Sequence, residues 1–150
     1  MKHKNKPKFS IITVVLNGER YIESTIKSVL SQSYKNFEYI IIDGKSNDKT
    51  LKIISKYKNK ISKIRSKKDK GIYDAFNIGM SYAKGDYICF VNSDDILKKN
   101  ALKIINKYID ANPNIDFIFG GVKKHWGVLY GYKPQKIKFS WGFYSSHSTG

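Results

Sequence analysis

The sequence predicts an α/β fold with a doubly wound, mostly parallel sheet and helices on both faces. Two observations support this prediction: short β-branched segments alternate with segments of helical periodicity, and the first strand is apolar almost throughout. Strands that alternate with helices form parallel sheets with right-handed crossovers. With 150 residues, of which 41% are hydrophobic, the chain is long enough to bury one core.

Each strand and helix has its own signal in the sequence. The predicted strands are rich in isoleucine, valine and aromatic residues and span 9–16, 37–42, 61–65 and 86–91. The predicted helices repeat apolar residues at helical spacing and span about 20–32, 51–58, 72–83 and 101–109. A fifth strand is predicted at 116–121. The aromatic and glycine alternation at 126–132 then predicts a non-parallel strand or a binding loop.

The domain organisation is simple. Residues 1–8 form a basic leader, and residues 9–150 are predicted to form a single domain, because no internal repeat or low-complexity linker interrupts them. No apolar run approaches the roughly 20 residues that span a membrane, and the basic N-terminus lacks the apolar region of a signal peptide. Cys89 is the single cysteine, which excludes an internal disulfide and a cysteine-rich zinc site. These features predict a cytoplasmic protein.

The net charge of +16 raises the hypothesis of a nucleic-acid-binding protein, because lysine and arginine neutralise phosphates. Only Arg20 and Arg65 are arginines, however, and bidentate contacts to phosphates and base edges favour arginine. The lysines are scattered along the whole chain, which is typical of a solvated surface. Nucleic acid is therefore not favoured as a partner, and an anionic membrane surface is the other electrostatic interpretation.

The acidic residues are scarce and concentrated. Seven of the nine aspartates lie between positions 43 and 95, and Asn17, Asp43, Asp69 and the pair Asp94 and Asp95 each follow a predicted strand. Loops that follow parallel strands open at the same edge of a sheet, the carboxyl edge, where ligands bind. The alternative is that aspartate is simply common in turns and at helix starts. The agreement of four loops favours a polar-ligand or cation site.

Several known sites are excluded by their missing motifs. No glycine-rich dinucleotide motif follows the first strand, and no P-loop or nucleophile-elbow motif occurs in the chain. A calcium loop beginning at Asp43 is excluded because Lys45 occupies a required ligand position. The segment 92–95 (NSDD) remains, and it fits an anchor for Mg²⁺ or Mn²⁺, which bind through one or two carboxylates together with substrate phosphates.

Five segments together resemble the family 2 glycosyltransferases, bacterial polysaccharide-building enzymes of the Rossmann-like GT-A fold. The segments are SIITVVLNGE at 10–19, IKSVLSQSY at 26–34, EYIIIDGKSNDKT at 38–50, DKGIYDAFNIG at 69–79 and GDYICFVNSDD at 85–95. They occur in the family's order and spacing and cover about residues 9–97. Taken jointly they are highly specific, whereas no single one of them is.

The resemblance implies a nucleoside-diphosphate sugar bound across the first and fourth strands, with a divalent metal ion, Mg²⁺ or Mn²⁺. Thr13 would line the nucleotide pocket, Asp43 would accept a hydrogen bond from the base, and Asn92 replaces the first acid of the family's DxD motif. The residues expected at the donor are Thr13, Asn17, Glu19, Asp43, Asp69, Lys70, Asp74, Asn92 and Asp94. The expected metal ligands are Asp94 and Asp95.

The resemblance also implies the reaction, which is metal-assisted transfer with inversion to a glycan or lipid-linked acceptor in cell-envelope polysaccharide biosynthesis. The family's general base follows a stretch like 146–149, so it is expected beyond Gly150, and the domain is expected to be incomplete on its acceptor side. Peripheral contact with the inner face of the membrane is consistent with such acceptors. The alternatives are a catalytically incomplete donor-binding module and a basic nucleic-acid-binding α/β domain.

Overall fold

The computed structural model describes residues 8–118, 120, 122–124 and 127–129, in two compact units, Met1–Pro113 and Asn114–Gly150. In the first unit the strands are β1 (Phe9–Val15), β2 (Phe37–Asp43), β3 (Lys63–Ser66) and β4 (Tyr87–Phe90). Its helices are α1 (Ile22–Leu30), α2 (Thr50–Ser55), α3 (Ile72–Tyr82) and α4 (Ala101–Ala111), with a 3₁₀ turn at Lys58–Lys60. None of the helices described is long and apolar enough to cross a membrane.

The four strands form one parallel sheet in the order β3-β2-β1-β4. The first two crossovers move outward from β1 to β2 and then to β3, whereas the third returns past β1 to the opposite edge. Because such crossovers are right-handed, α1 and α2 cover one face of the sheet and α3 covers the other. Successive strands are therefore added first on one side of β1 and then on the other, which confirms the doubly wound α/β prediction. The switch point of the sheet lies between β1 and β4.

The core lies on both faces of the two central strands, and all seven residues of β1 are buried. On the α3 face, alternate residues of β1 and β2 pack against the helix in a cluster of Ile12, Val14, Ile40, Ile42 and Ala75. Gly79 lets α3 approach closely, because a Cβ atom there would stand 2.5 Å from a methyl carbon of Ile12. Strands with two buried faces read as continuous apolar runs, which is why the sequence signal of β1 and β2 was strong.

The prediction of a fifth strand at 116–121 is wrong for the residues described in that segment, 116–118 and 120, which are irregular. Phe117 is 60% exposed, so its apolar character does not reflect burial in the sheet. In the second unit β5 (Val122–Lys124) pairs antiparallel with β6 (Gly127–Leu129). This hairpin bears out the expectation of a non-parallel strand within 126–132, while residues 130–132 lie outside the described part.

Candidate functional site

The loops after β1 and β2 are joined by hydrogen bonds between side chains and backbone. The Asn17 amide donates to Ser46 Oγ at 2.8 Å, and Asn17 Oδ1 accepts the Asn47 amide at 3.0 Å. One step further along, the Glu19 carboxylate accepts the Lys49 amide at 2.8 Å. Asn17 has a positive φ of 53°, a conformation that asparagine tolerates well. Asn17 and Glu19 thus stand at the carboxyl edge as expected, with side chains that brace one loop against the other; their contact with a donor stays a prediction.

Asp43 ends β2 and is fully buried, and its carboxylate organises the loop that follows. Oδ2 accepts the Lys45 amide at 3.1 Å, the Ser46 amide at 3.1 Å and the Ser66 hydroxyl at 2.6 Å, while Oδ1 accepts the Ser46 hydroxyl. Lys45 adopts a φ of 70°, which is unfavourable for a residue with a side chain. Asp43 therefore fixes the loop after β2 and links it to the end of β3. Its predicted contact with the nucleotide base stays a prediction.

Thr13 lies in the middle of β1 and is fully buried on the face opposite α3. Its Oγ1 accepts the Tyr39 hydroxyl at 3.1 Å. Burial raises the pKa of the Tyr39 phenol from 10.0 to about 12, and the hydrogen bond to Thr13 offsets this rise only in part. The predicted role of Thr13 at the nucleotide is not tested by this geometry, which shows the hydroxyl paired with Tyr39 instead.

We expect this phenol to make the protein less stable in strong alkali. The folded state keeps Tyr39 protonated, so its contribution is complete below pH 10 and is lost as the pH rises to about 12. Urea denaturation at pH 9.5 and 11.5 should show wild type losing roughly 1.7 kcal/mol more than Tyr39→Phe over this range. Burial also raises the pKa of the Cys89 thiol to about 11, but that effect is common to both proteins and cancels in the difference. Equal losses of unfolding free energy in wild type and Tyr39→Phe would contradict the raised pKa of Tyr39.

The start of α3 is shaped by two of the predicted donor residues. Asp69 Oδ1 accepts the Gly71 amide at 2.9 Å, and Asp74 Oδ2 reaches back to accept the Lys70 amide at 3.0 Å. Gly71 has a φ of 113°, which only glycine adopts without strain. The two carboxylates thus hold the segment that leads into the helix, and Lys70, which lies between them in the sequence, is exposed. Contact of these three residues with a donor stays a prediction.

The segment after β4 forms a tight turn over residues 92–95. The Asp95 amide donates to the Asn92 carbonyl at 3.1 Å, and Asn92 Nδ2 donates to Asp95 Oδ2 at 3.0 Å. Asp94 occupies the third position of this turn, where it is exposed. The asparagine that replaces the first acid of the motif is thus used to hold the second carboxylate of the pair.

A cavity of about 240 Å³ opens at the carboxyl edge beside the switch point of the sheet. It is lined by Val14, Val15, Leu16, Asp69, Gly71, Ile72, Ala75 and Ser93. It therefore brings Asp69 to the residue that precedes Asp94, whereas Thr13 does not line it. The loop after β1 also lies close to the turn after β4, because a Cβ atom at Gly18 would stand 3.7 Å from Ser93 Oγ. Asp43 and Asp94 are consequently on the same edge of the sheet, separated only by the β1 loop.

The family follows from a comparison with known sequences. The family described as "Glycosyl transferase family 2" matches residues 10–148, which is most of the chain. The chain belongs to glycosyl transferase family 2. The resemblance seen in five sequence segments is therefore confirmed.

Relatives of this family 2 chain include bacterial proteins of greater length. An uncharacterized glycosyltransferase of Haemophilus influenzae is 40% identical over 102 residues, which are 66% of this chain and 41% of the relative. The poly(ribitol-phosphate) β-N-acetylglucosaminyltransferase TarS of Staphylococcus aureus is 34% identical over 110 residues, which are 70% of this chain and 19% of TarS. The chain thus spans between about a fifth and two fifths of the length of these relatives.

Solved structures confirm the GT-A fold of this family 2 chain. S. aureus TarS 1–349 in complex with UDP-GlcNAc superposes with a TM-score of 0.67 at 32% identity, covering 71% of this chain and 32% of that one. The mannosyltransferase PcManGT from Pyrobaculum calidifontis shares the fold at 18% identity, with a TM-score of 0.56 and coverage of 62% and 29%.

Among the described residues, the acidic side chains could bind a metal ion only together with ligand atoms from outside the protein. Within the described ranges no three His, Cys, Asp or Glu side chains converge on one point. The turn instead offers Asp94, exposed at its tip, and Asp95, one of whose oxygens is held by Asn92. A pair of carboxylates completed by substrate phosphates and water is a usual set for Mg²⁺ or Mn²⁺. The donor set of the turn therefore fits the predicted metal.

Three residues that hold the turn or the segment after it are absent from the site predicted from the sequence. Thr25 and Ser28 lie on the inner face of α1 and Gln32 follows the end of that helix, and all three bind the backbone of the segment after β4. Their signal was available, because polar residues recur at helical spacing among the buried residues Ile22, Ile26 and Val29. A polar side chain on a buried helix face needs a partner, so this pattern predicts contacts to a neighbouring backbone.

Proposed function

We propose that this chain binds a nucleoside-diphosphate sugar, in the first instance a UDP-sugar, and supplies the donor site of an inverting glycosyltransferase. The observation that carries the proposal is the cavity at the switch point, which joins Asp69 and Ser93 beside the exposed carboxylate of Asp94. The family supports it, and so does the likeness at 32% identity to TarS in complex with UDP-GlcNAc. The donor would lie along the carboxyl edge with its diphosphate toward the turn at 92–95.

A divalent ion, Mg²⁺ or Mn²⁺, belongs to this proposal. Asp94 would be its main protein ligand, with Asp95 beside it. When bound, such an ion neutralises negative charge on the leaving diphosphate. The chain's own residues contribute by holding Asp95 through Asn92 and by keeping the loop of Asp69 in place at the opposite wall of the cavity.

The acceptor and the general base complete the proposed reaction. An acceptor hydroxyl of a glycan or a lipid-linked glycan, as in cell-envelope polysaccharide synthesis, would displace the diphosphate with inversion, and a carboxylate would take its proton. We assign this base to neither Asp110 nor Asp116. Asp110 is an exposed residue of α4 whose carboxylate binds the Asn106 amide, and Asp116 is exposed in an irregular segment.

Titration of the chain with UDP, GDP and dTDP, each with Mn²⁺ and with EDTA, tests the proposed function. We expect one diphosphate to bind at least about 30-fold more tightly with Mn²⁺, because an ion held by the carboxylates of the turn would offset the negative charge of the diphosphate. Calorimetry gives the affinities directly. The absence of binding by all three nucleotides would reject the donor site. Salt-sensitive binding of DNA or RNA in its place would support the nucleic-acid alternative, which is not favoured.

We also propose that α4 makes peripheral contact with an anionic membrane. A cytoplasmic location, from which α4 would reach the inner face of the membrane, stays a prediction. Ile104 and Tyr108 are 65% and 48% exposed, and Lys103 and Lys107 flank them on the same exposed side. Exposed apolar residues beside lysines suit the surface of an anionic leaflet. We expect co-sedimentation with phosphatidylglycerol vesicles, little with phosphatidylcholine, and at least about fivefold weaker association for Ile104→Asp. Equal association with both vesicle types would contradict this contact.

A further inference from the structure

Three buried polar side chains, two in α1 and one just after it, hold the segment that follows β4. Thr25 and Gln32 are fully buried and Ser28 is nearly so. Thr25 and Ser28 share the buried face of α1 with apolar core residues, and Gln32 lies two residues after the helix ends. Burying such groups is costly unless they are hydrogen-bonded. All three are bonded to the backbone of residues 93–102, so this part of the helix is built to hold that segment.

Thr25 acts on the turn itself. Its Oγ1 lies 2.8 Å from the Ser93 carbonyl oxygen and 2.9 Å from the Asp95 carbonyl oxygen. These two carbonyls flank Asp94 in the chain. A hydroxyl has one proton to donate, so the two carbonyls share it or receive it in turn. Either way a single buried hydroxyl holds the peptide group that precedes Asp94 and the peptide group that follows Asp95.

The other two side chains hold the continuation of the segment. Ser28 Oγ accepts the Leu97 amide at 3.0 Å. Gln32 donates from Nε2 to the Lys98 carbonyl at 2.8 Å and accepts the Leu102 amide through Oε1 at 3.2 Å. They therefore fix the residues between the turn and the start of α4. Of the three side chains, Thr25 is the one that contacts the turn at 92–95.

We propose that Thr25 is a positioning residue that sets the direction of the Asp94 carboxylate through the backbone of the turn. The inference rests on the proposed function, because Asp94 is there the main metal ligand. Asp94 is exposed at the tip of its turn, and the two peptide groups that Thr25 holds enclose residues 94 and 95, so they constrain the backbone from which the Asp94 side chain extends. Loss of the Thr25 hydroxyl leaves both carbonyls free to rotate, and a metal–diphosphate complex then has to order the turn as it binds.

Thr25→Val tests this inference, because it keeps the shape of the side chain and removes only the hydroxyl. Binding of the nucleotide that wild type prefers should weaken about tenfold with Mn²⁺ and stay within about twofold with EDTA. Thr25→Ser, which retains the hydroxyl, should restore the Mn²⁺-dependent affinity. Hydrogen exchange of the Asp95 amide, measured without nucleotide, should be about tenfold faster in Thr25→Val than in wild type.

Ser10→Ala is the matched control. Ser10 is also fully buried, and its hydroxyl joins two segments, donating to Glu38 and accepting the Gly85 amide, but at the other edge of the sheet. It should lower the thermal midpoint without changing the Mn²⁺-dependent affinity or exchange at Asp95. Unchanged exchange at Asp95 in Thr25→Val would overturn the inference, and so would an equal loss of affinity with Mn²⁺ and with EDTA. If wild type itself bound no nucleotide, the proposed function would fail, and the exchange result would still decide the role of Thr25.

Discussion

Asp94→Asn is expected to remove the metal-dependent part of nucleotide binding, weakening the affinity in Mn²⁺ by at least about 30-fold. The substitution keeps the size of the side chain and removes its charge. Asp94 is exposed at the tip of the turn, so the change should cost little stability. Calorimetry with the preferred diphosphate, in Mn²⁺ and in EDTA, measures the effect.

Two further variants make this result specific. Asp110→Asn removes the same charge from α4, away from the turn, and should bind as wild type does. Asp95→Asn should have an intermediate effect, because one oxygen of that carboxylate already accepts the Asn92 amide. Retention of the full Mn²⁺-dependent affinity by Asp94→Asn would mean that the metal is held elsewhere, and the assignment of the turn would be abandoned.

The second large effect is on stability. Asp43→Asn should lower the free energy of unfolding by about 3 kcal/mol, because the new amide group directs hydrogens at groups that are themselves donors. Four donors from Lys45, Ser46 and Ser66 now meet this fully buried carboxylate. Urea denaturation monitored by circular dichroism gives the value, and the thermal midpoint should fall by on the order of 10 °C.

Ser66→Ala is the control for the Asp43 carboxylate. It removes one donor of the set and should cost only about 1 kcal/mol, since the remaining donors keep the carboxylate satisfied. If Asp43→Asn were as stable as wild type, the buried carboxylate would not be the centre of the loop after β2. Comparison of the two variants therefore separates the loss of one bond from the failure of the whole arrangement.

The sheet was predictable because β1 and β2 are buried on both faces, so their burial is written into continuous apolar sequence. The boundaries of the helices were less so. The helix predicted at 51–58 ends at Ser55 and is followed by the 3₁₀ turn at Lys58–Lys60, because local periodicity does not show where tertiary contacts stop. The strand predicted at 116–121 is wrong at the described residues 116–118 and 120 for a similar reason, because an apolar run does not reveal whether a neighbouring strand is present to pair with it.

The candidate site was predictable in its location and not in its bonding. The rule for parallel sheets placed Asn17, Asp43, Asp69 and Asp94 at one edge, and the structure places them there. The sequence could not show that the Asp43 carboxylate would be occupied by hydrogen bonds within the protein, since one of these bonds comes from Ser66, 23 residues further on. Nor could it show that Thr25 reaches the turn at 92–95, a contact that spans 68 residues to Ser93.

The bonds between the loops after β1 and β2 have a consequence for how a ligand enters. Asn17, Glu19 and their partners tie these two loops together, so they should move as one rigid wall. Widening of the entrance then falls to the opposite wall, where Gly71 leads into α3. Amide hydrogen exchange should accordingly be slow at Asn47 and Lys49 and faster around Lys70. The reverse order would show that the entrance widens by movement of the loops after β1 and β2.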